Sequence, residues 1–304
     1  MPPEILVAGA LHLDVVVTAP RLPRPDETLA GSAVAYPLGG KGGNQAVAAA
    51  RMGAAAAIAG RVGTDAFGAA LLAALDAAGV DRAQVRQVAG ASGMSVAIVG
   101  ADGAYGAVTV SGVNAGIDPA EIALPPGLKL LLLQNEIPEA VNLALAARAR
   151  AAGARVILNA APMRPAAPGL FALTDILVVN RVEAADLTGV PADRADPAAA
   201  LGRLTGAGAR AAVVTLGAEG LVAADTAADG GAPFALPAFA VSPVSSHGAG
   251  DAFIGAMAAE LARGAGFRAA LRFGQACAAL TVATAPENRA RLGAAAVRAL
   301  MASA

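Results

Sequence analysis

The sequence predicts an α/β domain over residues 1–304, with a doubly wound, mostly parallel sheet flanked by helices and a small β-sheet attached as a lid. Three observations predict it. Short apolar runs alternate with helical stretches through most of the chain, which implies parallel strands joined by right-handed crossovers. Glycine-rich turns stand where strand-like runs give way to helices. Two segments, residues 11–38 and 84–111, break the alternation and read as extended, which makes them the expected lid.

Residues 5–8, Ile-Leu-Val-Ala, read as a buried strand, and residues 44–52 as a helix entered through a glycine-rich loop. Apolar runs at 56–58, 129–133, 155–158, 175–179 and 211–215 supply further strands. Helical patterns at 67–78, 139–151 and 197–205 lie between most of them. Residues 238–244 read as strand-like, and the chain is then mostly helical over 251–263, 267–283 and 292–301. Within the second extended segment, residues 94–99 and 105–110 flank Asp102-Gly103, a dipeptide suited to a tight hairpin turn.

Composition excludes several functions. With 56% hydrophobic residues, many of them alanine, the chain can bury a large core and pack helices closely. A net charge of −1, 3% aromatics and no Trp offer neither a basic footprint for nucleic acid or membrane nor a stacking platform for bases. Apolar stretches are broken well before the length of a membrane span, and residues 1–7 lack a signal-peptide pattern, so a cytoplasmic protein is expected. The single cysteine, Cys277, forms no intrachain disulfide and reads as a buried structural thiol.

Two glycine-rich blocks carry the chemistry. Gly39-Gly40-Lys41-Gly42-Gly43-Asn44-Gln45 is not a Walker A loop, because Ala35 and Gly42 stand where that motif needs Gly and Ser/Thr. It reads either as a flexible turn or as a place where Lys41, Asn44 and exposed amides meet substrate hydroxyls. Gly248-Ala249-Gly250-Asp251 opens a helix whose free N–H groups suit phosphoryl oxygens, with Asp251 beside them as a base. Alone, Asp251 reads equally well as a helix cap. Asn180 and Glu183 follow a strand and read as a capping box, a site for Mg²⁺ held through water, or both. Thr215-Leu216-Gly217-Ala218-Glu219-Gly220 looks like a turn at a strand end, where a nucleotide phosphate or ribose could lie.

In this order and spacing the blocks resemble the ribokinase/PfkB family of carbohydrate kinases, from about residue 4 to about residue 284, and are most similar to its ribokinase branch. The resemblance implies ATP-dependent phosphoryl transfer to a hydroxyl, with a primary one expected, of a small sugar. Asp251 then matches the catalytic base, and Gly248, Ala249 and Gly250 the anion hole. His12, Asp14, Gly40, Lys41, Asn44 and Glu136 match sugar-binding positions. Asn180, Thr215, Gly217, Gly220 and Gln275 match the nucleotide side, and Glu183 the Mg²⁺ region. A homodimer through the lid is also implied.

Three departures bear on substrate and ion. His12 stands where ribokinases carry Asn. The family's Asp before the anion hole, which helps to hold an activating K⁺, is replaced in Val244-Ser245-Ser246-His247 by the neutral Ser245. K⁺ activation is therefore not expected, and Arg289, in the run Ala285-Pro286-Glu287-Asn288-Arg289, is a candidate for the missing charge. Ser111-Gly112-Val113-Asn114 differs beside the lid. A pentose or ketohexose is the first expectation for the substrate. A nucleoside kinase is the alternative within the family, and a non-catalytic sugar or nucleotide sensor is the alternative outside it.

Overall fold

Runs such as Leu130-Leu131-Leu132-Leu133 have no polar side to turn to water, so as strands they must be covered on both faces. The computed structural model, which describes residues 2–101, 104–164, 169–190 and 196–303, builds its sheet from such runs. In chain order the elements begin β1 (Ile5–Ala8), β2 (His12–Ala19), β3 (Ala33–Ala35), β4 (Leu38–Gly39), α1 (Lys41–Arg51), β5 (Ala56–Gly63), α2 (Ala66–Ala77) and β6 (Asp81–Val88). There follow β7 (Gly93–Gly100), β8 (Tyr105–Val110), β9 (Leu130–Gln134), α3 (Glu139–Ala151), β10 (Arg155–Asn159), β11 (Ile176–Asn180), α4 (Arg181–Thr188) and α5 (Pro197–Gly206). The last are β12 (Ala211–Thr215), β13 (Leu221–Asp225), β14 (Phe234–Leu236), α6 (Ala249–Ala262), α7 (Phe267–Ala283) and α8 (Ala294–Ala302).

The large sheet has nine strands in the order β14-β13-β12-β11-β10-β9-β1-β5-β6, parallel from β12 to β6, with β13 and β14 antiparallel at one edge. Alternate side chains of each strand enter different layers, as the pleat requires. Ile5 and Val7 pack with Phe253, Ile254 and Met257 of α6, whereas Leu6 and Ala8 pack with Val141 and Leu145 of α3. Cys277 is buried in a third cluster with Phe239 and Phe273, and burial pushes its thiol up to about 12.

Small residues let α1 and α6 approach closely. A Cβ placed on Gly255 of α6 would lie 2.5 Å from the Ala48 Cβ and 2.6 Å from the Gln45 carbonyl oxygen of α1. The two helices therefore meet backbone to backbone, a contact that any larger residue at Gly255 would prevent. This crossing carries the start of α1 to the start of α6.

The smaller sheet runs β3-β2-β7-β8, with β4 also on β2. β2 and β7 are parallel from His12↔Gly93 to Ala19↔Gly100, and β7 and β8 are antiparallel. Asp102 and Gly103, the expected hairpin turn, lie outside the described residues.

Three boundaries differ from the sequence reading. Residues 84–88, assigned there to the lid, belong to β6, which runs parallel to β5 at the edge of the large sheet. Its polar alternation, Asp-Arg-Ala-Gln-Val-Arg-Gln-Val, marks an extended edge strand but does not say which sheet it joins. Residues 238–244 form no strand; Pro237 precedes them and Pro243 lies among them, and neither supplies an N–H to a ladder. α1 begins at Lys41 rather than Asn44, so Lys41, Gly42 and Gly43 form its first turn.

Candidate active site

β5 and β6 lie on one side of β1, and β9 to β12 lie on the other. The winding reverses between β1 and β9, and ligands of open α/β sheets bind at such a point, outside the carboxyl ends of the strands. Gly9 follows β1, Gln134 ends β9, Asn159 ends β10, Asn180 ends β11 and Thr215 ends β12.

Asp251 is the third residue of α6, and Gly248 is the N-cap. No side chain caps this helix, so Asp251 is not its cap. The residue is 8% exposed, and its carboxylate accepts hydrogen bonds from Gln45 Nε2 at 3.0 Å and Asn44 Nδ2 at 3.3 Å. Burial raises its pKa above the ordinary Asp value, partly opposed by Lys41 and these two amides. Gly248 has φ +74°, the left-handed conformation glycine adopts most readily, and open space surrounds the positions where side chains on Gly248 and Gly250 would project.

Lys41 opens α1, and its backbone N–H donates to Glu136 Oε2 at 2.7 Å. Burial alone would depress the Lys41 ammonium, but the carboxylates of Asp251, Glu136 and Glu183 outweigh it and hold the pKa above the usual lysine value. Burial pushes Glu136 up to about 7 and also raises Glu183. Gly40, with φ +79°, turns the chain into α1. A Cβ there would lie 2.6 Å from the Ala10 carbonyl oxygen, and one on Gly42 would lie 2.7 Å from the Gly9 backbone. These glycines therefore let α1 press against the end of β1; the surface they approach is the chain itself.

On the lid side, Asp14 is buried, accepts from Ser95 Oγ at 2.5 Å, and has its Oδ2 3.6 Å from His247 Nε2. The Asp14 carboxylate beside it holds the His247 imidazole above its ordinary pKa. His12, at the start of β2, is 3% exposed; burial lowers its pKa, and its Nε2 has no hydrogen-bond partner among the described residues. Asn114 clamps both backbone groups of Leu11, so the departing segment at 111–114 fastens the base of the lid.

Two cavities meet here. A cleft of about 1090 Å³ is lined by Asp14, Ser95, Asn44, His247, Gly248 and Arg289, among others. A smaller one of about 220 Å³ is lined by Lys41, Asn180, Glu183, Thr215, Gly250 and Asp251, among others. Gly248 lines both, so the start of α6 stands at their junction.

The family model for pfkB family carbohydrate kinases matches residues 3–286. The chain belongs to this family. It is 34% identical to a ribokinase of Haemophilus influenzae over 288 residues, covering 91% of this chain and 92% of that protein. It is 33% identical to a ribokinase of Bacillus subtilis, covering 92% of each. The structure of an Arabidopsis thaliana ribokinase complexed with ribose and ATP superposes with a TM-score of 0.89 at 28% identity, covering 99% of both chains.

Not every residue marked from this family's pattern comes to the cavities. Asn180 and Glu183 form the full capping box, each backbone N–H bonded to the other side chain at 2.8 Å, and both also line the small cavity. Thr215 lines it too, whereas Gly217, Gly220 and Gln275 do not. Gly220 turns beneath the Leu236 carbonyl oxygen, 2.1 Å from where its Cβ would stand. Gln275 donates to Leu236 O at 3.0 Å, which ties α7 to β14.

Sequence reading missed a buried amide relay behind Asp251. Gln134 Nε2 donates to Gln45 Oε1 at 2.9 Å, and Gln45 Nε2 donates to Asn159 Oδ1 at 3.2 Å as well as to Asp251. The available signal was a polar residue closing each of two apolar strands, Leu-Leu-Leu-Leu-Gln and Arg-Val-Ile-Leu-Asn.

Proposed function

We propose that the chain transfers the terminal phosphoryl group of ATP to the primary hydroxyl of a small sugar, with ribose the first candidate. The observation that carries this is the buried Asp251 carboxylate, oriented by Asn44 and Gln45 where the two cavities meet. The sugar occupies the larger cleft, its vicinal hydroxyls donating to Asp14, whereas the buried His12 lines neither cavity and stands behind that carboxylate at the base of the lid. Lys41 and the open start of α6 face the phosphates. Asp251 accepts the proton as the hydroxyl oxygen bonds to phosphorus and ADP leaves. In a loose transition state that proton moves late, and its acceptor works best with a pKa raised toward operating pH, which burial provides.

Oxygen donors at the small cavity fit Mg²⁺ held largely by phosphate and water: Glu183 is a carboxylate and Asn180 adds an amide oxygen, with Asp251 left for the proton. Among the described residues no cluster of three or more His, Cys, Asp or Glu could hold a metal alone. When bound, the ion neutralises charge on the transferring phosphoryl group. K⁺ is not expected to be required, since Ser245 supplies no carboxylate.

A second reading, phosphorylation of a nucleoside, is favoured by room: about 1090 Å³ lies just above the usual range for small-molecule pockets. A sensor without catalysis would need neither the oriented Asp251 nor the relay behind it. No helix among the described residues is long and apolar enough to cross a membrane, and a cytoplasmic location suits the use of ATP. Val34, Tyr36, Val108 and Val110 are exposed on the lid strands and the adjoining loop, which supports a homodimer closed through the lid. ATP consumption against pentoses, ketohexoses and nucleosides tests the reading. Ribose should be the best acceptor, a nucleoside preference selects the alternative, and no turnover on any acceptor rejects both.

A further inference from the structure

The chain reaches α6 through residues 244–248, and one side chain gathers the carbonyls around that loop. Arg289 Nη2 donates to Ser245 O and Nη1 to His247 O, each at 2.8 Å, and Nε donates to Thr284 O at 3.0 Å. The loop is fastened to the same neighbourhood from its other side, because Val244 N and Ser245 N donate to Val282 O at 2.8 and 3.1 Å. Arg289 itself leaves α7 on the short 3-10 turn Pro286–Arg291, and its carbonyl lies 3.5 Å from Arg51 Nη1.

Three backbone carbonyls converging on one positive group make the kind of hard-oxygen set that suits a monovalent cation. Here a guanidinium already donates to each of the three oxygens, with fixed fork geometry and permanent charge. A free K⁺ would have to displace those N–H donors, and Ser245 offers it only a neutral hydroxyl. The residues present therefore do not fit a free ion.

We propose that Arg289 is a tethered cation, built into the chain, that holds the loop before α6 and makes the enzyme indifferent to monovalent salt. Its contacts fix Ser245 and His247, the residues that lead directly into Gly248 and the open amides of α6. Arg289 thus acts as a positioning residue for the anion hole; it lines the larger cleft at the loop, away from Lys41 and Asp251 in the smaller cavity. The proposal rests on the kinase reading above. It predicts a latent site: removing the guanidinium leaves three unpaired carbonyls that an external cation can enter.

The test compares the protein with Arg289→Ala, measuring kcat, KM and melting temperature while K⁺ replaces tetramethylammonium at constant ionic strength. The unaltered protein should show flat kcat and flat melting temperature. R289A should lose about 10- to 100-fold in kcat with little change in sugar KM. K⁺ should then restore kcat several-fold and raise the melting temperature of that variant alone. A several-fold activation of the unaltered protein by K⁺, full activity of R289A without K⁺, or a slow R289A that no K⁺ improves would each overturn the proposal. If R289A does not fold, Ser245→Asp combined with Arg289→Ala supplies a carboxylate for the entering ion and should be K⁺-dependent in both readouts; indifference overturns the idea there as well. Should no acceptor be phosphorylated at all, the kinase reading fails, and the melting temperatures still judge the cation.

Discussion

Gln45 Nε2 donates to Asp251 Oδ1 at 3.0 Å across 206 positions of sequence, and the same nitrogen donates to Asn159. The orientation of the carboxylate is thus set by a side chain that touches no substrate, itself anchored by Gln134 at the end of β9. Oriented general bases contribute about 10²–10⁴-fold to rate. Asp251→Asn keeps the shape of the site and one accepting oxygen, turns the other into an NH2 that Asn44 can meet only by flipping its amide, and cannot accept the proton. Its kcat should fall by at least about 100-fold, with the melting temperature nearly unchanged; near-normal steady-state turnover would remove Asp251 from the role.

Replacing Gln45 separates orientation from chemistry. Gln45→Leu leaves Asp251 short of a donor and frees Gln134 and Asn159 inside a buried region. Stability should drop by about 1–3 kcal/mol in denaturant unfolding. The diagnostic result is a lower kcat at unchanged KM for sugar, because the base is still present but no longer held.

Gly255 offers a purely steric control. A methyl group there meets the Ala48 Cβ and the Gln45 carbonyl oxygen, so Gly255→Ala must part α1 from α6. Overpacking of this kind costs about 1–3 kcal/mol. It should also lower kcat, since Asn44 and Gln45 ride on one helix and Asp251 on the other. A variant with lower melting temperature but full activity would show that the helix crossing does not position the base.

Glu136 gives a pH signature. Its pKa rises from 4.5 to about 7 on folding, chiefly through burial. Between those values the native state holds a proton that the unfolded chain has released, so this group's contribution to stability falls as pH rises from about 4.5 to about 7. Glu136→Gln lacks the proton and the dependence. Between pH 4.5 and 8 the unaltered protein should lose melting temperature relative to E136Q; parallel curves would show that Glu136 titrates normally.

Asp14 is predicted to read the sugar. Asp14→Ala should raise sugar KM by about 10-fold or more, as expected when a charge-assisted hydrogen bond of about 1.5–3 kcal/mol is lost, while KM for ATP stays put. Equal rises in both constants would place Asp14 in maintaining the lid rather than in recognition.

The parallel strands and the helix opened by Gly248-Ala249-Gly250-Asp251 were legible in the sequence because each rests on a local pattern: an apolar run bounded by helices, or glycines opening a helix. What stayed hidden depends on pairs remote in sequence. Nothing near Gln45 announces that Gln134 and Asp251 will face it. Gly42 reads as a ligand-facing glycine until Gly9 is seen against it, and residues 84–88 read as extended without naming the sheet they join. Asn180 and Glu183 were readable as both a cap and a cavity wall because one local geometry provides both.

The interior place of β1 has a consequence for biosynthesis. All four of its residues are fully buried, and one flank pairs with β5, made soon afterwards, but the other waits for Leu130 and the rest of β9. At about 5–20 residues per second on the ribosome, that unpaired edge stays open for on the order of ten seconds. Nascent chains stalled before β9 should therefore be the species that chaperones hold and that aggregates form from, whereas chains released after it have already closed the middle of the sheet.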